Sequence, residues 1–307
     1  MNRQTVTEKT TSNSVKFSIN ESGLFAAEYY IHKSDALEER RNYPVHLHER
    51  TEIYVLLDGK SSFVSGDQAY ALSPYDAIIV PAGRLHHCLL NDVSKHSHAC
   101  FWFETENACF NEIFKDKNFP VFIRFQDNSL DELKASIAYF YELQENEQKN
   151  SNLCMKMPLT DNRFDDLKTY SYFLRFLSAL FESSKTSLAE NKKNAEKATD
   201  VPPLLLRVLS DVDQNYASIA TADELSHRHF VSASTLGRLF SKYLSVSPKA
   251  YLEAKKLSAS VLCLKNGDCV NEAAAKTGFP DCSNYIRLFK TRFGVTPKRF
   301  AERYQKN

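Results

Sequence analysis

The stretch Val270–Asp281 (VNEAAAKTGFPD) constrains this chain more than any other. Ala274 is small enough to let two helices cross closely, and Gly278, four residues on, can take the left-handed turn between them. Asp281 then suits the N-cap of a second helix, Cys282–Phe293. Helical spacing directs Tyr285, Ile286, Phe289 and Phe293 inward and leaves Asn284, Arg287, Lys290 and Thr291 outward. The pattern is helix, tight turn, helix, with a polar outer face.

A second such pattern precedes it. Thr221 and Glu224 read as a capping box, and Ser232 caps the helix that follows. In that helix Leu236, Leu239, Phe240 and Tyr243 point inward, while Ser234, Thr235, Arg238 and Lys242 stay exposed. His229-Phe230 occupies the turn where a glycine would fit more easily. Between the two patterns, Pro248–Lys265 reads as one helix. At about 1.5 Å per residue it spans less than about 30 Å. Reading helices at its two ends could therefore enter successive major grooves, roughly 34 Å apart on one DNA face. Asn and Arg are suited to bidentate contact with adenine and guanine edges.

Net charge supports this only after the chain is divided. The total of 39 Lys/Arg against 38 Asp/Glu looks neutral. Residues 202–307 hold 16 Lys/Arg against 9 Asp/Glu, a net of +7, and the remainder holds 23 against 29, a net of −6. The basic half is a phosphate-binding surface in the making. Opposite signs also lead us to expect the acidic half to dock on the basic one when DNA is absent.

The first part reads as strands: Gly23–Ile31, Thr51–Leu57, Ser61–Val64, Ala77–Val80 and Cys100–Phe103, separated by Gly, Pro, Asp and Ser turns. This pattern predicts an antiparallel barrel or jelly roll. The period then changes. Leu130–Leu143 and Phe164–Phe181 carry apolar stripes at helical spacing, for packing on the barrel or for a dimer seam. Ser183–Asp200 has almost no large apolar residue and reads as a linker. The expected organisation is a β domain over 1–128, a helical dimerisation or packing segment over 129–182, a linker over 183–201 and an all-α domain over 202–307.

Two classes are excluded. No apolar run reaches the length of a membrane helix, and the polar N-terminus lacks a signal-peptide core. The seven cysteines are scattered with no C-x-x-C pair, so they read as reduced thiols of a cytoplasmic protein.

The β half holds the densest chemical cluster. His46, His48 and Glu52 alternate within His46–Glu52, with Gly59 following, and His86 ends Pro81-Ala-Gly83-Arg84-Leu85-His86. On a strand, residues two apart share a face, so these groups can point into one barrel. Trp102 is an aromatic candidate for the same pocket, and His87, Cys88, His96 and His98 are further polar candidates. For His96 and His98 a solvated face is the simpler expectation.

The C-terminal half resembles the AraC/XylS-type transcription regulators over about 100 residues. The resemblance rests on Ser232–Phe240, Pro248–Leu252, Gly278–Lys290 and the ending Phe293–Phe300 (FGVTPKRF). Departures are Ser226, Ser245 and Lys256, where the family prefers Ala, Gly and Arg. It implies DNA contacts from Ser234, Thr235 and Arg238 and from Asn284, Arg287 and Lys290; Ser232, Lys242, Ser283 and Thr291 are further DNA-binding candidates beside them. The His46 and His86 segments resemble the two cupin motifs, with Tyr75 standing where a glycine is expected. That implies a cupin-like effector domain with His46, His48, Glu52, His86 and Trp102 lining the pocket.

The resulting expectation is a cytoplasmic, sequence-specific regulator, an activator, with no membrane partner. It would respond to a small-molecule effector such as a carbohydrate. Its partners would be double-stranded DNA, RNA polymerase and a second copy in a homodimer. No cofactor is required by this reading; a divalent metal held by His46, His48, Glu52 and His86 is an open alternative. Other readings are a metal-dependent cupin enzyme or metal sensor fused to a DNA-binding domain, and an effectorless regulator controlled by a partner protein.

Overall fold

The computed structural model describes residues 15–19, 25–34, 45–48, 50–90, 96–104, 121–151, 163–194 and 200–304. Among the described residues nine strands come first: β1 (Val15–Ile19), β2 (Phe25–Ser34), β3 (Thr51–Asp58), β4 (Ser61–Ser65), β5 (Gln68–Leu72), β6 (Asp76–Val80), β7 (His86–Leu90), β8 (His96–Glu104) and β9 (Val121–Arg124). They form two antiparallel sheets, one in the order β1-β2-β8-β3-β6-β9 and the other β5-β4-β7. Alternation along each strand sorts the side chains. Tyr54, Leu56, Val80 and Trp102 of the large sheet meet Phe63 and Tyr70 of the small one in an interior cluster. Tyr75, at the position where a glycine was expected, has φ +67°.

The intervening residues of the large sheet face outward onto two helices, α1 (Asp127–Ser151) and α2 (Arg163–Asn194). Ile53, Val55 and Phe101 pack there with Phe140, Phe173, Phe176 and Leu180. The predicted apolar stripes therefore settle on their own sheet, while Leu167 and Leu174 of α2 remain exposed. The helix α2 continues to Asn194, through most of the stretch read as a linker. Its Lys, Glu, Ala and Leu residues are good helix formers without an apolar stripe, which is why composition alone pointed to a linker. Residues 195–199 lie outside the described set.

The C-terminal half is helical throughout: α3 (Pro203–Asn215), α4 (Ala222–Arg228), α5 (Ala233–Leu244), α6 (Pro248–Lys265), α7 (Val270–Lys276), α8 (Cys282–Phe293) and α9 (Pro297–Tyr304). The two expected units are α4–α5 and α7–α8, at opposite ends of α6. Lys256 of α6 ties them together: its buried ammonium donates to Ile219 O at 2.9 Å and to Gly278 O at 2.8 Å. Desolvation lowers the Lys256 pKa. The second unit keeps its own core of Leu257, Leu264, Phe279, Tyr285, Phe289 and Phe300.

The first unit shares its core with the β domain. Val64, Ala69 and Leu85 cover the outer side of the small sheet, and with Val45 and Leu47 they join Leu205, Leu209, Phe240 and Leu244 in one apolar cluster. Among the described residues this contact joins an apolar cluster to polar ties, the Arg84–Asp213 pair and the Ser210–Asp67 hydrogen bond.

Candidate nucleic-acid interface and buried polar site

The caps are made as the sequence implies, with one shift. Thr221 Oγ1 accepts from Glu224 N, but the Glu224 carboxylate reaches back to Ala220 N at 2.8 Å, one residue beyond the usual box. Ser232 Oγ accepts from Thr235 N, and Asp281 accepts from the amides of Ser283 and Asn284.

On α5, Ser234, Arg238 and Lys242 are exposed, whereas Thr235 is half-buried with its hydroxyl 2.9 Å from Ser232 Oγ. On α8, Ser283, Arg287, Lys290 and Thr291 are exposed and Asn284 is partly so. Arg287 donates to Asn284 Oδ1 at 2.7 Å, so the two side chains suited to base edges are already held together. Thr291 donates to the Arg287 carbonyl. Ile286 is a correction: 36% of it is exposed, on the outer face and not in the core. It lies one position past Tyr285, beyond the arc that the core of Tyr285 and Phe289 covers. Docking of the β domain leaves both outer faces open.

The four polar groups of the β domain do converge. One ligand-type atom from each of His46, His48, Glu52 and His86 lies within 4.8 Å of all the others. His46 and His86 are held side by side by a reciprocal backbone pair, His46 N to His86 O at 3.0 Å and His86 N to His46 O at 2.9 Å. Glu52 Oε2 accepts from Trp102 Nε1 at 3.2 Å and faces His48 Nε2 at 2.8 Å and His86 Nε2 at 3.1 Å. Burial pushes the Glu52 carboxyl up, yet the imidazoles of His48 and His86 together hold it well below the ordinary carboxylate range.

The tautomer of His86 follows from its other nitrogen. Nδ1 lies 2.9 Å from Arg84 O, and a carbonyl can only accept, so Nδ1 carries a proton. His86 Nε2 faces the Glu52 carboxylate, an arrangement satisfied by a proton on Nε2 or by a cation between the two. The buried His48 Nε2 is close to Glu52 but makes no hydrogen bond of good geometry. Three imidazoles and one carboxylate aimed at a single point fit a divalent transition metal.

A second polar cluster occupies the same interior. Tyr54 Oη lies 3.2 Å from Cys88 Sγ and 3.3 Å from His96 Nε2, and Ser61 Oγ is 3.3 Å from His96 Nδ1. His98 stacks on Tyr54 with ring centroids 5.2 Å apart. His96 is buried, so the expectation of a solvated face for His96 and His98 fails. They share the inner face of β8 with Cys100 and Trp102. Burial drives the Cys88 thiol up to about 11. Tyr54 was not singled out from the sequence, although it is two residues from Glu52 on the same strand.

Residues 225–303 match the model of a helix-turn-helix domain family. The transcriptional activator RhaS of Escherichia coli is 24% identical over 272 residues, covering 86% of this chain and 91% of its own length. Among solved structures, fatty-acid-bound ToxT of Vibrio cholerae aligns at TM-score 0.33 and 14% identity over 91% of this chain and 95% of its own. The DNA-binding domain of AdpA, solved with a target DNA, aligns at TM-score 0.31 and 21% identity over 34% of this chain and 93% of its own. Structural likenesses this low carry no argument; the domain match and the full-length activator relatives do. Together with the two capped units flanking α6, they support a DNA-binding transcription regulator that is similar to the AraC/XylS type.

Proposed function

We propose that this chain activates transcription in the cytoplasm by reading two half-sites with α5 and α8, under the control of a signal received at His46, His48, Glu52 and His86. The observation that carries the reading half is the pair of exposed polar helix faces set at the ends of one 18-residue helix. Arg238 and Arg287 are the base readers, with Ser232, Ser234, Thr235, Lys242, Ser283, Asn284, Lys290 and Thr291 as neighbouring base or phosphate contacts. In duplexes selected by the full chain, Arg287→Ala should cost about 1–3 kcal/mol at its own half-site and relax base preference there. Arg238→Ala should do the same at the other half-site. A uniform loss on all sequences would make these arginines phosphate contacts instead.

For the signal, the convergence of three imidazoles and the Glu52 carboxylate within 4.8 Å of one another favours a divalent metal over an organic ligand alone. Such an ion, when bound, would supply a Lewis-acidic anchor, and a carbohydrate or other polar effector could add to it beside Trp102. The site is read as sensory and not catalytic, because its ligand segments are built into the contact with the DNA-reading half. The exposed Leu167 and Leu174 support a homodimer, and activation implies contact with RNA polymerase. Titration with Co(II), followed by its visible absorption, should show one tight site per chain that is lost in Glu52→Ala and His86→Ala. Intact DNA binding with no stoichiometric metal would leave the organic effector as the signal.

A further inference from the structure

The four-group site and the DNA-reading half share the same short segments of chain. In 45–48, Val45 and Leu47 are buried in the cluster with Phe240 and Leu244, while His46 and His48 turn to the site. In 83–86, Gly83 O accepts from Ser258 Oγ of α6, Arg84 faces Asp213 of α3 at 3.9 Å and Leu85 joins the same apolar cluster, while His86 turns to the site. The two-residue period of extended chain makes this division unavoidable: one side of each segment holds the site and the other holds the helices.

One bond reaches the reading helix itself. Val45 N–H donates to Leu244 O, the last carbonyl of α5, at 3.0 Å. Helix C-termini leave their final carbonyls without partners, and here the β domain supplies one from the residue next to His46. Among the described residues, the β domain reaches α6 through Ser258, but the apolar cluster of the second unit contains no residue of the β domain.

We infer that occupation of the four-group site is read by the first helix-turn-helix unit alone. Drawing His46, His48 and His86 around one occupant fixes Val45 and Leu85 against α5, and this sets the position of α5 relative to α8. The polar face of α5 stays open throughout, so the control acts on placement and not on masking. The inference rests on the site being the point where the signal enters. An occupant moves this equilibrium only through different affinities for the two placements, and DNA bound at the first half-site must tighten the occupant by the same factor.

The test uses the full chain, Co(II) as the probe, and selected operators in which either half-site has been scrambled. Co(II) should change affinity about fivefold or more where only the first half-site is intact, and less than about twofold where only the second is. Val45→Pro, which removes the N–H and keeps the apolar bulk, should bind Co(II) normally by absorption and lose the shift. Ser258→Ala, which removes the Gly83 contact, should weaken the shift in the same direction and serves if the proline variant does not fold. Bound Co(II) with equal shifts at both half-sites, or with none, overturns this inference and spares the site. Persistence of the full shift in both variants overturns it too. Failure to bind Co(II) at all overturns the metal reading and this inference with it.

Discussion

The two helix-turn-helix units solve the same backbone problem with different residues. Each needs a left-handed residue in the turn and another at the end of its reading helix. The second unit places glycines there, Gly278 at φ +76° and Gly294 at φ +72°. The first places Phe230 at φ +55° and Ser245 at φ +58°. For a residue with a Cβ this conformation costs roughly 1–2 kcal/mol. Phe230 recovers little through packing, since it is 96% exposed. The unit with the less comfortable backbone is also the one whose reading helix is bonded to the β domain. A self-sufficient reader is thus joined to one that leans on its neighbour, which is the arrangement expected of a unit whose placement is adjustable.

The largest expected effect tests the self-sufficient side. A Cβ built on Gly278 would lie 2.0 Å from Ala217 O, a backbone atom that cannot step aside. Gly278→Ala should therefore destabilise the DNA-binding half by more than about 3 kcal/mol, read from chemical denaturation. A loss below about 1 kcal/mol would mean that the turn is as adjustable as the one at Phe230, and the contrast would collapse.

Next comes the tie between the units. Lys256→Met removes both donors and strands Ile219 O and Gly278 O, at a cost of about 1–3 kcal/mol. The sign of its pH dependence is fixed. Because desolvation lowers the folded-state pKa, the folded protein binds fewer protons than the unfolded chain between that pKa and the ordinary lysine value. Wild-type stability should therefore rise relative to Lys256→Met as alkaline pH passes through this window. Parallel profiles for the two proteins would show that the ammonium is not desolvated.

What was legible in the sequence follows from where the determinants are local. The bounds of Pro248–Lys265 and Cys282–Phe293 match α6 and α8, because proline at a helix start, Asp281 as N-cap and Gly294 after the end are local signals. The strained positions were visible for the same reason: a glycine is missing at Tyr75 and in the His229-Phe230 turn, and the chain takes positive φ at Tyr75 and Phe230. The four-group site was found because alternation is also local. Strands β5 and β7 were not, since Gln68–Leu72 and His86–Leu90 lack a β-branched run and owe their pairing to β4. The contact between the halves was expected on charge, and the fold adds an apolar cluster that net charge could not reveal. Val45, Leu47 and Leu85 were not singled out from the sequence, and only the fold shows that they face a second domain.

The smallest effect separates the two units most cleanly, because it swaps their chemistry at matched positions. A Cβ on Gly294 would meet nothing within 4 Å, so Gly294→Ser should cost only the backbone term, about 1 kcal/mol. Ser245→Gly relieves the same term at the end of α5 and should gain about 0.5–1 kcal/mol, reduced by the greater freedom of glycine in the unfolded chain. The gain has a functional counterpart. An α5 whose terminus is relaxed depends less on the Val45 bond, so the Co(II)-induced shift at the first half-site should shrink while Co(II) binding stays unchanged. Thermal unfolding of the two variants reads the first effect, and half-site titration reads the second. Equal losses in both variants would mean that Ser245 is held by its side chain and not merely tolerated. The first unit would then be no more yielding than the second, and its contact with the β domain would be a fixed joint.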